Sequence, residues 1–278
     1  MSDTGPTVAL GPDDQARLAA AGVGRHRLTP MDLERLATVL AELRRQEDLA
    51  GAGAVLPVAS RQLAVVTRLV ATTPDCLRRE VLDLAGQIAQ FTGWLHTALG
   101  QHERAARRLD RALEWAVVAG RPDLVATVLS FKGNLAWLRG AVSLAGALTE
   151  AAGRDQGIYP GQLAYDALQT AGCLAVAGDG AGVRRQVAVA TGWVEAERGF
   201  TGVVPPWQYY RGPAFYAMQR GAVYRMLGRS EPRSTDLAIE EITTGVAGLP
   251  EQMRTAEWVG DYLCQLVLAY RQVGDRAG

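Results

Sequence analysis

The stretch Gln90–Ala116, QFTGWLHTALGQHERAARRLDRALEWA, carries the pattern from which the fold of the chain follows. Its apolar residues recur three and four apart, as on one face of an α-helix, and Gly100 divides it into two such runs. Gly93 lies inside the first run, seven residues before the Gly100 that ends it. The same spacing returns forty residues later at Gly133 and Gly140, and again at Gly221 and Gly228. Small residues follow at a fixed place, Ala105 and Ala112 in one copy and Ala145 and Ala152 in the next. A glycine inside a helix costs about 1 kcal/mol relative to alanine, so its return at one phase implies paired helices packed too closely there for a side chain. The spacing predicts helix pairs over 80–99/102–119, 123–139/142–153, 161–177/181–198 and 212–227/233–247, with weaker copies ending at Gly178 and Gly274 and an unpaired helix over 254–273. Strand-like alternation is nearly absent, which makes the chain all-α.

Outward from the repeats, residues 13–75 read as an N-terminal helical cap and 76–278 as the repeat domain, behind a disordered tail at 1–12 that carries Gly5, Pro6, Gly11 and Pro12. Asp13–Ala21 and Met31–Arg45 place aliphatic residues on one helical face, with Thr29 before Pro30 as cap and first turn. A third helix is expected from about Pro57 to Val70, after the break at Gly51–Ala54.

Composition narrows the function classes. The 278 residues are 48% hydrophobic and 21% charged, and 29 basic residues balance 29 acidic ones. A neutral chain has no field to concentrate a phosphate polymer, so direct nucleic-acid binding is not expected, and no membrane role is either. Lys132 is the only lysine and Asn134 the only asparagine, a bias of G+C-rich coding that suggests an actinobacterial source. Cys76, Cys173 and Cys264 are far apart and without CxxC spacing, which predicts buried core thiols; with no signal sequence in view, a cytoplasmic location is expected. His26, His96 and His102 have no metal-ligand spacing, and no phosphate-binding, zinc-protease or nucleophile-elbow motif occurs, so neither metal nor cofactor is expected.

Gly93, Gly100, Ala105 and Ala112 occupy the small positions of a tetratricopeptide repeat, which the chain resembles over about residues 80–275. The usual aromatic positions of that repeat hold His96, His102 and Leu109, and no proline closes the first copy. The phrase EDLAGAGAVLPVASRQLAVVTRLV (47–70), with LAGQIAQFTGWLHTALGQHERAARRLDRAL (84–113), is similar to the C-terminal repeat domain of actinobacterial helix-turn-helix regulators of the Xre type. In those regulators a DNA-binding domain precedes the phrase. Here about 45 residues do; Pro30 would fall inside a recognition helix and the segment has more acids than bases, so no DNA-binding domain is evident. The resemblance implies helical hairpins stacked in a right-handed solenoid.

It also implies which side chains face the concave groove: Gln87, Gln90 and Trp94 in the first copy, then Thr127, Ser130, Asn134 and Trp137, and further on Tyr165, Phe215, Arg225 and Asp261. Amides, hydroxyls and indoles suit a peptide backbone or a flat organic ligand. Asn134 stands out because related peptide sensors use concave asparagines to hold a peptide bond. The segment 199–213, GFTGVVPPWQYYRGP, places Trp207, Tyr210 and Arg211 in a turn-rich connection that reads either as a lid over the groove or as filling between two copies. The leading expectation is a ligand-sensing or protein-interaction module, regulatory in role, that binds a small molecule or peptide. The alternative is an enzyme of specialised metabolism in which Tyr165 or Asp166 pairs with Glu257 or Asp261. A protein partner and a homodimer are further expectations.

Overall fold

The computed structural model describes residues 10–277, and among these every regular element is helical. Residues 1–9 of the expected tail lie outside the described residues. The chain divides between Val125 and Ala126 into two compact units. The first contains α1 (Pro12–Ala21), α2 (Pro30–Ala50), α3 (Ala52–Thr72), α4 (Asp75–Ala98), α5 (His102–Val118) and the start of α6 (Pro122–Leu138). The second contains the rest of α6, then α7 (Val142–Ala152), α8 (Pro160–Val176), α9 (Gly180–Arg198), α10 (Pro213–Leu227), α11 (Ser234–Gly248), a single 3-10 turn at Glu251–Met253, and α12 (Val259–Ala277). Consecutive helices pack as hairpins, α4 on α5, α8 on α9 and α10 on α11, the arrangement of tetratricopeptide-like repeats.

In the first unit α2 starts from a capping box. The Thr29 hydroxyl accepts from the Asp32 N–H, the Asp32 carboxylate accepts from the Thr29 N–H at 3.0 Å, and Pro30 takes the first helical position. Helix α3 begins at Ala52, earlier than the sequence predicts, because Gly51 with φ +79° is itself the break and Pro57 is accommodated within the helix. Its mean hydropathy of 1.3 makes α3 the one described helix long and apolar enough to cross a membrane. In the fold it packs on α4, with Val55, Val58, Ala59, Leu63, Val66 and Leu69 buried.

The recurrent glycines do two separate things. A Cβ on Gly93 would stand 2.8 Å from Leu109 of α5, one on Gly133 2.9 Å from Thr149 of α7, and one on Gly221 2.5 Å from the Ile242 side chain and 3.0 Å from its backbone nitrogen in α11. These are the close approaches that the seven-residue spacing implies. Gly100 and Gly140 instead end their helices with φ of +66° and +76°, and the following N–H groups of Gln101 and Ala141 bond back to His96 and Ala136.

Two expectations need correction, on the cysteines and on the last helix. Cys76 and Cys264 are exposed and Cys173 is half-buried, because the first two lie on solvent faces of α4 and α12. Gly228 ends α10 as expected, with a right-handed backbone, and a side chain there would collide with Thr235. The last helix starts at Val259 and runs through Gly274 to Ala277, since the 3-10 turn and the bends after it occupy residues up to 258.

Gly221→Ala therefore lowers the unfolding free energy by about 1–3 kcal/mol despite alanine's better helix propensity. Gly192→Ala, in α9 with nothing within 4 Å, raises it by about 0.5–1 kcal/mol. Urea denaturation of the two variants measures both, and effects of the same sign would refute the close-approach account.

Candidate functional site

A group of buried polar side chains lies in the second unit, where segment 199–212 folds onto α6 and α8. Its centre is Gln162, in the first turn of α8 and 1% exposed. The Gln162 Oε1 accepts from Thr127 Oγ1 at 3.0 Å, from Gln208 Nε2 at 2.8 Å and from Arg211 Nη1 at 2.9 Å. Its Nε2 donates to Ser130 Oγ at 2.7 Å and to the two Asp166 oxygens at 2.9 and 3.0 Å. Ser130 also donates to Asp166, and the Trp207 indole N–H donates to Thr127 Oγ1 at 2.9 Å. One carboxamide thus ties two helices to a loop, which is possible because an amide offers a donor end and an acceptor end in one plane.

The local reasons are simple. Thr127 and Ser130 are three apart on one face of α6, and Gln162 and Asp166 are four apart on one face of α8. Pro205 and Pro206 stiffen the loop before Trp207, and two turns at Pro205–Gln208 and Gln208–Arg211 bring Trp207, Gln208 and Arg211 inward while Val203 and Val204 stay exposed. Beyond Arg211 the aromatic residues Tyr165, Tyr210, Phe215, Trp258 and Tyr262 pack edge on or tilted, with ring centroids 5.3–6.2 Å apart. The Arg211 guanidinium lies 4.1 Å from the Tyr165 ring centroid and 5.6 Å from that of Tyr210.

Burial governs the electrostatics. Asp166 is 2% exposed, and desolvation pushes its carboxyl up to about 7, against the hydrogen bonds from Ser130 and Gln162 and the charge of Arg211. Tyr165, Tyr216 and Tyr262 are raised by the same desolvation and are neutral phenols at physiological pH. Desolvation works against the Arg211 charge too, but its net direction is upward under the influence of the surrounding tyrosines and Asp166.

Of the side chains expected in the groove or its covering segment, Thr127, Ser130, Tyr165, Trp207, Tyr210 and Phe215 are brought together here. Asn134 and Trp137 lie further along α6 and are half-buried. Gln87, Gln90 and Trp94 belong to the first unit, where Gln87 donates to Asp83 at 3.3 Å, Gln90 is buried and the Trp94 indole donates to Glu47 at 3.2 Å. Arg225 is buried in α10 with its Nε unpartnered, and desolvation lowers its pKa. Asp261 is exposed on α12 and raised by partial desolvation, with Glu257 adding to the shift.

The residue that sequence reasoning misses is Gln162. A glutamine between apolar residues at a helix start resembles any solvated one. A signal does exist for its neighbours: Gly172 stands 39 residues after Gly133, and the same phase counted from it selects Asp166 and Gln169.

No family model and no curated protein sequence matches the chain. Among solved structures it is similar to the crystal structure of BtubC (BKLC) from P. vanneervenii, with a TM-score of 0.40 and 16% identity, covering 70% of this chain and 96% of that one. The likeness is one of fold alone.

Two outcomes follow from the network. Gln162→Leu strands several buried donors at once and costs about 3–5 kcal/mol of stability by urea denaturation; a cost under about 1 kcal/mol would mean the network is not formed. The second concerns pH. An unfolded Asp166 carboxyl ionises at the ordinary 3.8, whereas the folded one keeps its proton to about 7. Between those values the folded chain holds a proton that the unfolded chain has lost, so stability falls as pH rises. In Asp166→Asn that fall is smaller, by on the order of 1–4 kcal/mol between pH 4 and 7. Parallel stability curves for the two proteins would disprove it.

Proposed function

We propose that this chain is a noncatalytic, regulatory repeat module that binds a small molecule or peptide at the face of α6 and α8 covered by segment 199–212. The observation that carries this reading is the Gln162 network itself. Seven polar side chains (Thr127, Ser130, Gln162, Asp166, Trp207, Gln208 and Arg211) are withdrawn from water to hold one loop against two helices. Well-packed apolar residues generally give equal or better stability than buried charged groups, so such a network points to recognition rather than to packing. The loop is held through hydrogen bonds that converge on one carboxamide, so a ligand that bonds to the loop's own polar groups shifts the segment against α6 and α8. A change in the 199–212 segment is then what a partner protein reads.

Asp166 supports a second reading, as an acid–base group in an enzyme of specialised metabolism, because its carboxyl titrates near neutrality beside Tyr165. Against it, the carboxyl is sealed among Ser130 and Gln162, and Glu257 and Asp261 are both exposed.

Hydrogen exchange over residues 199–212, with native mass spectrometry, on the full chain with and without a small-molecule extract of a G+C-rich actinobacterium tests the proposal. A retained species that is released unchanged and alters protection of the segment is expected, and Trp207→Ala changes its affinity at least fivefold. Conversion of the retained species into a new mass would establish the enzyme reading instead. No retained species and no altered exchange would overturn both.

A further inference from the structure

Arg211 is 7% exposed, yet no carboxylate of the described residues comes within ion-pair distance of its guanidinium, and Asp166 acts on it only at longer range. A guanidinium carries five N–H donors. In Arg211 the Nε reaches the Tyr210 hydroxyl at 3.3 Å and Nη1 reaches Gln162 Oε1 at 2.9 Å, and its other N–H groups have no partner among the described residues. Tyr165 and Tyr210 supply ring faces, burial keeps the Tyr165 phenol protonated, and Asp166 is only partly ionised at neutral pH. Ion pairs among the described residues are made by half-exposed or exposed arginines instead, such as Arg121 with Asp83 and Asp123, and Arg220 with Glu241. Arg211 is the arginine of the network, and it has no ion-pair partner among the described residues.

A second buried group at this place is unsatisfied in the opposite sense. Gln208 is 2% exposed, its Nε2 donates to Gln162 Oε1, and its own Oε1 is buried with no donor. Because Gln208 Nε2 and Arg211 Nη1 bond to the same Gln162 oxygen, the two side chains are neighbours there. Beside them the rings of Tyr165, Tyr210 and Trp258 are half-buried and offer partly accessible apolar faces. The complement of this arrangement is an anionic group with two coplanar oxygens for Arg211, an N–H for Gln208, and a flat or apolar body.

We infer that the ligand of this site carries a carboxylate next to an amide N–H, as at the C-terminus of a peptide or in an N-acyl amino acid, with an aromatic or large apolar side chain. The carboxylate seats on Arg211, which binds such groups bidentately, and the N–H donates to Gln208 Oε1. The inference rests on the ligand-binding reading given above and specifies its chemistry. A peptide and a free acylated amino acid share this group, and the length of the probe separates them.

Isothermal titration of the full-length protein with N-acetyl-L-phenylalanine and with the tetrapeptide Gly-Gly-Gly-Phe, each as the free acid and as its carboxamide, tests it. The wild-type acid–amide comparison needs no variant, so it stands even if substitutions at Arg211 unfold the chain. At least one acid is expected to bind tenfold or more tightly than its amide, and 3-phenylpropionate, which lacks the N–H, more weakly than N-acetyl-L-phenylalanine. Arg211→Gln, checked for native helicity by circular dichroism, is expected to abolish the acid preference while Arg211→Lys keeps part of it. Equal affinity of acid and amide, or an acid preference that survives in folded Arg211→Gln, overturns the inference. So does the absence of binding by both acids. If the extract experiment nevertheless yields a retained neutral species, the ligand-binding reading stands and only the carboxylate assignment falls.

Discussion

Two helices can share a hairpin interface only as closely as the side chains between them allow, and in this chain the distance is set where a glycine of one helix meets a branched or small residue of the next. Gly93 against Leu109, Gly133 against Thr149 and Gly221 against Ile242 are the same contact made three times. Each leaves no space for even one methyl group. In the second unit the faces of α6 and α8 that bear Thr127, Ser130, Gln162 and Asp166 come within hydrogen-bond distance of each other.

That network has an unusual economy. Gln162 accepts three hydrogen bonds on one oxygen and spreads its two N–H groups over Ser130 and Asp166, so loop, α6 and α8 depend on one side chain. In a low-dielectric interior such bonds reinforce each other, and the failure of one exposes the rest. The raised carboxyl of Asp166 and the uncompensated guanidinium of Arg211 are the two places where the network is not self-sufficient.

Much of the fold is legible in the amino-acid order because its signals are local. The capping box at Thr29 and Asp32, the helix-ending Gly100 and Gly140 and the interior Gly93 each act within one or two helical turns, so spacing alone reveals them. The exposed Cys76 and Cys264 show where that reading fails, since a cysteine's burial depends on which helical face meets a neighbour. The candidate site is legible only in pieces. Ser130, Tyr165, Trp207, Tyr210 and Phe215 stand out by residue type and phase, whereas Gln162 does not, because nothing in its flanking residues distinguishes a buried carboxamide from a solvated one.

The amino-acid sequence by itself determined that this chain is a succession of helical hairpins, where most of its helices begin and end, and which of their faces are apolar, since these follow from periodicities of three to seven residues. Only the tertiary structure decided that Trp207 bonds to Thr127 across 80 residues, that Gln208 and Arg211 meet on Gln162, and that Arg211 is buried without a carboxylate. Those pairings depend on how segment 199–212 closes over α6 and α8. Loop closure at such separation is chosen by the summed packing of the whole unit, and short-range spacing does not record it.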